Sequence, residues 1–174
     1  MKKIAIIIVS LFILCSTNLK AQEIPEYKYS FINEYGFFLG SGNTFTTVGL
    51  TGVFINGLTV NNKFFMGVGL GYESDNESGQ SIPMFLNFRY FLPSNSNFKP
   101  FLNIGLGSRF SYWTVYDNYF LYPGDPIQKS AFGFYSTLGA GFNKYAFSFS
   151  SGLFVKSIGN NFFGGLEVKA GFKL

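Results

Sequence analysis

A two-residue alternation runs through this chain from about residue 31 to its end, and it limits the possible folds more than any other feature. Over residues 64–72 the rows are Phe64, Met66, Val68, Leu70 and Tyr72 against Phe65, Gly67, Gly69 and Gly71. Successive side chains of an extended strand point to opposite faces, so one row makes a bulky apolar face and the other a mostly small one. The same division recurs over residues 102–112, 132–142, 145–155 and 165–174. Residues 82–92 and 48–60 alternate less cleanly, and residues 31–40 least. No stretch after residue 21 keeps a helical period, so the pattern predicts eight strands and no helix.

The connections sort into two ends. Residues 61–63, 93–99 and 143–144 are short, polar and carry a lysine each, whereas residues 73–81 and 113–130 are long. Strand parity places residues 41–43 and 157–161 with the long pair. Short turns at one end and longer loops at the other are the layout of an up-and-down membrane barrel.

Alternation alone does not say which face is inside. Composition does: only 13% of the residues are charged, while 47% are hydrophobic and 21% aromatic. A soluble barrel needs a charged exterior, and the second face here is mainly Gly, Ser, Thr and Asn. The bulky face therefore belongs in lipid, where an open sheet edge would leave backbone groups unpaired at several kcal/mol each, so the sheet must close. Tyr72, Tyr90, Tyr112, Trp113 and Tyr145 near strand ends suit interfacial girdles. The expected fold is an all-β, eight-stranded antiparallel up-and-down transmembrane β-barrel over residues 22–174. Its interior is only wide enough for side chains.

Residues 1–21 read as a secretory signal peptide. Lys2 and Lys3 precede an apolar run over residues 4–14, and Ala21 offers a small residue for cleavage. A membrane-spanning helix needs about 20 apolar residues, roughly twice that run. Cys15, the only cysteine, falls inside the leader, after a large Leu14 that suits lipoprotein processing poorly. The formal charge of +4 falls to +1 without Lys2, Lys3 and Lys20, so the basic pI is not a property of the folded part.

The sequence contains no histidine, which removes His-dependent triads, His-ligated zinc and imidazole relays. The Gly-x-Gly runs lie mid-strand and do not lead into a helix, so they are not phosphate loops. No cofactor, no metal, no catalytic residue and no nucleic-acid partner is expected.

Residues 66–72 (MGVGLGY), 81–90 (SIPMFLNFRY) and 99–107 (KPFLNIGLG) resemble the small outer-membrane β-barrel proteins often described as porin-like, with the architecture of OmpX-type proteins and the OmpA membrane domain. The terminal Phe172-Lys173-Leu174 is similar to the C-terminal signal read by the barrel assembly machinery, though it ends in Leu where the commonest form has Phe. The resemblance implies residence in the bacterial outer membrane, with lipid or lipopolysaccharide around the wall, and names no transported solute or extracellular partner.

Two groups of residues are candidates for function. Glu34, Arg89, Arg109, Glu167, Lys169 and Lys173 fall on the inferred inner face, where charges must pair to offset desolvation. Trp113, Tyr116, Tyr119, Phe120 and Tyr122 crowd the longest loop, a composition that recognition surfaces use. Glu73, Asp75 and Glu77, with Asp117 and Asp125, are read as solvated outer-loop acids whose spacing does not match an EF-hand. The leading expectation is a non-enzymatic outer-membrane protein with a structural and surface-interaction role. A narrow channel for ions or small solutes and a soluble periplasmic barrel binding an apolar ligand are the alternatives.

Overall fold

The computed structural model describes residues 25–42, 46–76, 79–94, 97–115, 118–119, 122–123 and 127–174. The expected leader, Tyr116, Phe120, Glu77, Asp117 and Asp125 lie outside them. Eight long strands close into a ring: β1 (Tyr27–Gly42), β2 (Thr46–Val60), β3 (Phe64–Asp75), β4 (Gly79–Phe91), β5 (Phe98–Val115), β8 (Ile127–Lys144), β9 (Phe147–Ile158) and β10 (Asn161–Lys173). A two-residue pair, β6 (Asn118–Tyr119) with β7 (Tyr122–Pro123), forms a small hairpin between β5 and β8.

The ring runs β1-β10-β9-β8-β5-β4-β3-β2, every neighbouring pair antiparallel. Closure is made by β1 against β10, from Ile32 opposite Lys173 to Gly42 opposite Phe163. Beyond that ladder, Phe31 and Leu174 exchange backbone hydrogen bonds of 2.9 and 2.8 Å, so the seam is bonded to its end.

The bulky row points outward. Phe37, Leu50, Val68, Leu106, Leu138, Leu153 and Leu166 are all exposed on the outer wall, a continuous apolar belt that water would not tolerate and acyl chains would. The inner row is less uniformly small than its glycines suggest. Phe38, Phe65, Phe85, Phe91, Phe101, Phe154 and Phe163 are buried inside, with Tyr135. Glycine makes room for these rings: a Cβ at Gly69 would collide with the Phe85 ring, which packs in turn on Tyr135 at 4.9 Å between centroids, the planes tilted by 31°.

Strand ends differ from the sequence expectation in a consistent direction. Turn 61–63 is placed as predicted, with left-handed backbone at Asn61 and Asn62 (φ 52° and 57°), which asparagine tolerates. The turn expected at residues 143–144 lies instead at Tyr145 and Ala146, with Tyr145 at φ 56°, so Asn143 and Lys144 finish β8. On the long-loop end β3 runs through Glu73 to Asp75, β5 through Trp113 to Val115, and β8 starts at Ile127. The strands reach further because main-chain pairing is indifferent to whether the side chains it carries are polar.

Candidate functional site

The inner face holds its charges in clusters that bridge strands across the lumen. Near the short-turn end, Arg89 on β4 donates through Nη1 and Nη2 to Oε1 and Oε2 of Glu34 on β1, each at 2.9 Å. These strands are not ladder neighbours, so the pair spans the lumen. Arg89 Nε donates to Asn87 Oδ1 at 3.0 Å, Ser148 on β9 donates to Glu34 Oε1 at 3.0 Å, and the guanidinium lies 4.9 Å from the Phe101 ring centroid. Two parallel N–H···O bonds to one carboxylate are the strongest geometry an arginine offers, and here both partners are buried.

Near the long-loop end, Arg109 on β5 donates from Nε to Glu73 Oε2 at 3.0 Å and from Nη2 to Asp75 Oδ2 at 2.6 Å. Lys156 on β9 reaches the other oxygen of Glu73 at 2.7 Å. Its ammonium also sits 3.8 Å from the Phe38 centroid and 4.4 Å from that of Phe154, while Arg109 lies 5.3 Å from that of Phe163. Between these clusters, Lys169 and Glu167, two residues apart on β10, pair at 2.6 Å. Apolar side chains pack against the ions: Ile32, Val53, Ile55, Phe65, Phe85, Phe101 and Tyr135 belong to one group, and Phe38, Phe154 and Phe163 to another.

Glu34, Arg89, Arg109, Glu167 and Lys169 thus lie within the wall as buried, paired ions. Lys173 departs from the expected network. It is half-buried at the short-turn mouth, 4.7 Å from the Phe91 centroid, with no carboxylate in ion-pair range among the described residues. Glu73 and Asp75 correct the outer-loop reading: they are buried lumenal ligands of Arg109. Lys156 escaped notice at the sequence level, although its parity with Ser150, Gly152 and Phe154 places it on the inner row. Trp113 is a strand residue on the inward parity of Arg109 and Ser111, so it belongs neither to a loop tip nor to an outer girdle. Tyr119 and Tyr122 fall in the β6–β7 hairpin. Tyr72, Tyr90, Tyr112 and Tyr145 are exposed, as girdle residues should be. Among the described residues, no group of three or more His, Cys, Asp or Glu side chains could hold a metal ion.

No known family model matches this sequence, and no curated protein matches it. Solved structures do match in shape. Neisserial surface protein A (NspA) aligns with a TM-score of 0.59 at 14% identity, over 86% of this chain and 98% of its own. Ail, the attachment invasion locus protein of Yersinia pestis, crystallised with the heparin analogue sucrose octasulfate, aligns at 0.57 and 10% identity, over 86% and 99%. The N-terminal β-barrel domain of Pseudomonas aeruginosa OprF aligns at 0.54 and 12% identity, over 86% and 100%. At such identities the likeness is one of fold. This chain has the fold of the small eight-stranded outer-membrane β-barrels, a closed antiparallel barrel whose lumen is filled by its own side chains.

Proposed function

We propose that this chain is an integral protein of the bacterial outer membrane that strengthens the envelope and presents a surface for interaction, without catalysis. The observation that supports this most is the pairing of an apolar outer belt with a lumen packed by rings and paired ions. Such a barrel is an anchor, and only its ends are left for contact with other molecules. At the long-loop end the β5–β8 hairpin outgrows its neighbours. Residues 113–115 continue past the last pair with β4, and residues 127–134 past the last pair with β9. On the β5 side the overhang is three residues, about 10 Å along the chain, which carries the β6–β7 hairpin past the end of β4. The complex of Ail with a heparin analogue supports reading a barrel of this fold as a ligand-binding surface.

In this reading residues 1–21 direct export, residues 172–174 engage the assembly machinery, and lipid or lipopolysaccharide surrounds the belt. Fractionation of producing cells tests it: the protein should stay in outer-membrane pellets after carbonate washing, and protease added to intact cells should cut within residues 116–126. Release by carbonate would refute the membrane reading, and steady conductance in planar bilayers would refute the filled lumen in favour of a channel.

A further inference from the structure

The short-turn end carries a feature that the anchor role does not use. The mouth of the lumen opens there into a recess of about 360 Å³, whose lining includes Lys28, Lys99, Lys173, Ser30, Thr59 and Asn143. The lysines come from β1, β5 and β10, all on the inward parity. Deeper in the lumen the rule is strict pairing: Arg89, Arg109, Lys156 and Lys169 each have a carboxylate within 3.0 Å. At the mouth that rule lapses. Lys28 pairs with Glu26 at 3.0 Å, but Lys99 and Lys173 have no carboxylate in ion-pair range among the described residues. Leu174 also lines the recess, and its backbone oxygen accepts the Phe31 amide.

A second observation concerns hydrogen bonding. Asn143 is buried, lines the same recess, and its Oδ1 has no partner among the described residues, whereas Ser30 and Thr59 on the opposite side satisfy each other at 3.1 Å. A buried acceptor left without a donor costs about 1–3 kcal/mol, and ammonium groups gathered at one opening repel. One ligand class answers both: an anion that takes the lysines and carries a hydroxyl toward which the amide oxygen, closed off as it stands, turns to accept.

We propose that the short-turn mouth is a binding site for a phosphate monoester or diester bearing hydroxyl groups, with Lys99 and Lys173 on the phosphate and Asn143 on a hydroxyl. Glycerol phosphate is the smallest such molecule. The same chemistry is offered by a phosphatidylglycerol headgroup bending over the rim and by a soluble sugar or polyol phosphate.

The test uses the protein purified in neutral detergent from membranes of cells grown on ¹⁵N, titrated with glycerol phosphate at fixed ionic strength. Saturable amide shifts at Ser30, Asn143 and Lys173 are expected. Affinity should fall at least about fivefold in the Lys99→Gln/Lys173→Gln variant, and less than about twofold in Lys63→Gln/Lys144→Gln, which removes equal charge from the same end outside the recess. Lys99→Gln alone, at an exposed position, serves if the double variant does not fold. A second arm compares nanodiscs of phosphatidylglycerol with nanodiscs of phosphatidylcholine. Shifts at the three residues in the first lipid alone assign the headgroup as the source, and binding of glycerol phosphate with no lipid dependence assigns a soluble ligand. Absence of saturation, or equal weakening by both double variants, overturns the site.

Discussion

Replacing Arg89 with Met should be among the most damaging single changes this barrel can suffer, and removing its partner as well should repair much of the damage. Arg89 and Glu34 have side-chain exposures of 1% and 2%, so neither recovers hydration if the other is lost. After Arg89→Met, Glu34 keeps one hydrogen bond among the described residues, from the Ser148 hydroxyl at 3.0 Å, and the longer-range attraction of Lys169. Two charges about 4 Å apart interact by about 4 kcal/mol at an effective dielectric constant of about 20, and stranding one member of a buried pair costs about 3–5 kcal/mol. Met fills most of the arginine stem's volume against Phe101, so the loss is electrostatic. In Glu34→Gln/Arg89→Met the stranded charge is gone, and a loss of roughly 1–2 kcal/mol should remain, typical of imperfectly satisfied neutral groups. Urea unfolding in phospholipid vesicles, followed by the fluorescence of Trp113, the only tryptophan, measures all three variants. A single variant within about 1 kcal/mol of the parent, or a double variant less stable than the single, would refute a lumen organised by paired buried ions.

The same assay checks two further expectations. Glu167→Gln strands Lys169, which it meets at 2.6 Å, and should cost several times more than Glu77→Gln in the connection after β3; equal effects would remove Glu167 from the lumen. Gly69→Leu forces a side chain into the space of the Phe85 ring and should cost about 1–3 kcal/mol, part of which Phe85→Ala in the same chain should recover.

Side-chain parity was readable wherever bulky and small residues alternate, and that is why the eight strands and their inward rows could be assigned from residues alone. Strand ends were not readable, because the cue there is composition, and composition misleads once charged residues serve the lumen. Glu73 and Asp75 look like loop acids, yet they extend the inner row of Gly69 and Gly71 by one step and two to meet Arg109. Lys156 follows Phe154 on the inner row, but its partner Glu73 is far away in sequence, and no local pattern announces such a pair. Tyr145 looks like the first residue of a strand and instead adopts a left-handed turn conformation. The inner phenylalanines were visible by parity at Phe65, Phe85, Phe91 and Phe154, and what the sequence hid was how they combine. Some rest on glycines from strands distant in sequence, as Phe154 does on Gly40, and Phe101 rests likewise on Gly141, while Phe65 folds back over Gly67 of its own strand.

The direction in which β9 points its side chains bears on everything else. Nitroxide labels placed singly at residues 150, 152, 153 and 155, with the protein in lipid vesicles, report contact with lipid-soluble oxygen and with a water-soluble nickel chelate. Labels at Leu153 and Val155 should show high oxygen and low nickel collision rates, and labels at Ser150 and Gly152 low rates for both. Oxygen access that is greatest at residues 150 and 152, or that shows no two-residue period, would contradict a barrel with its bulky face in lipid and its interior filled.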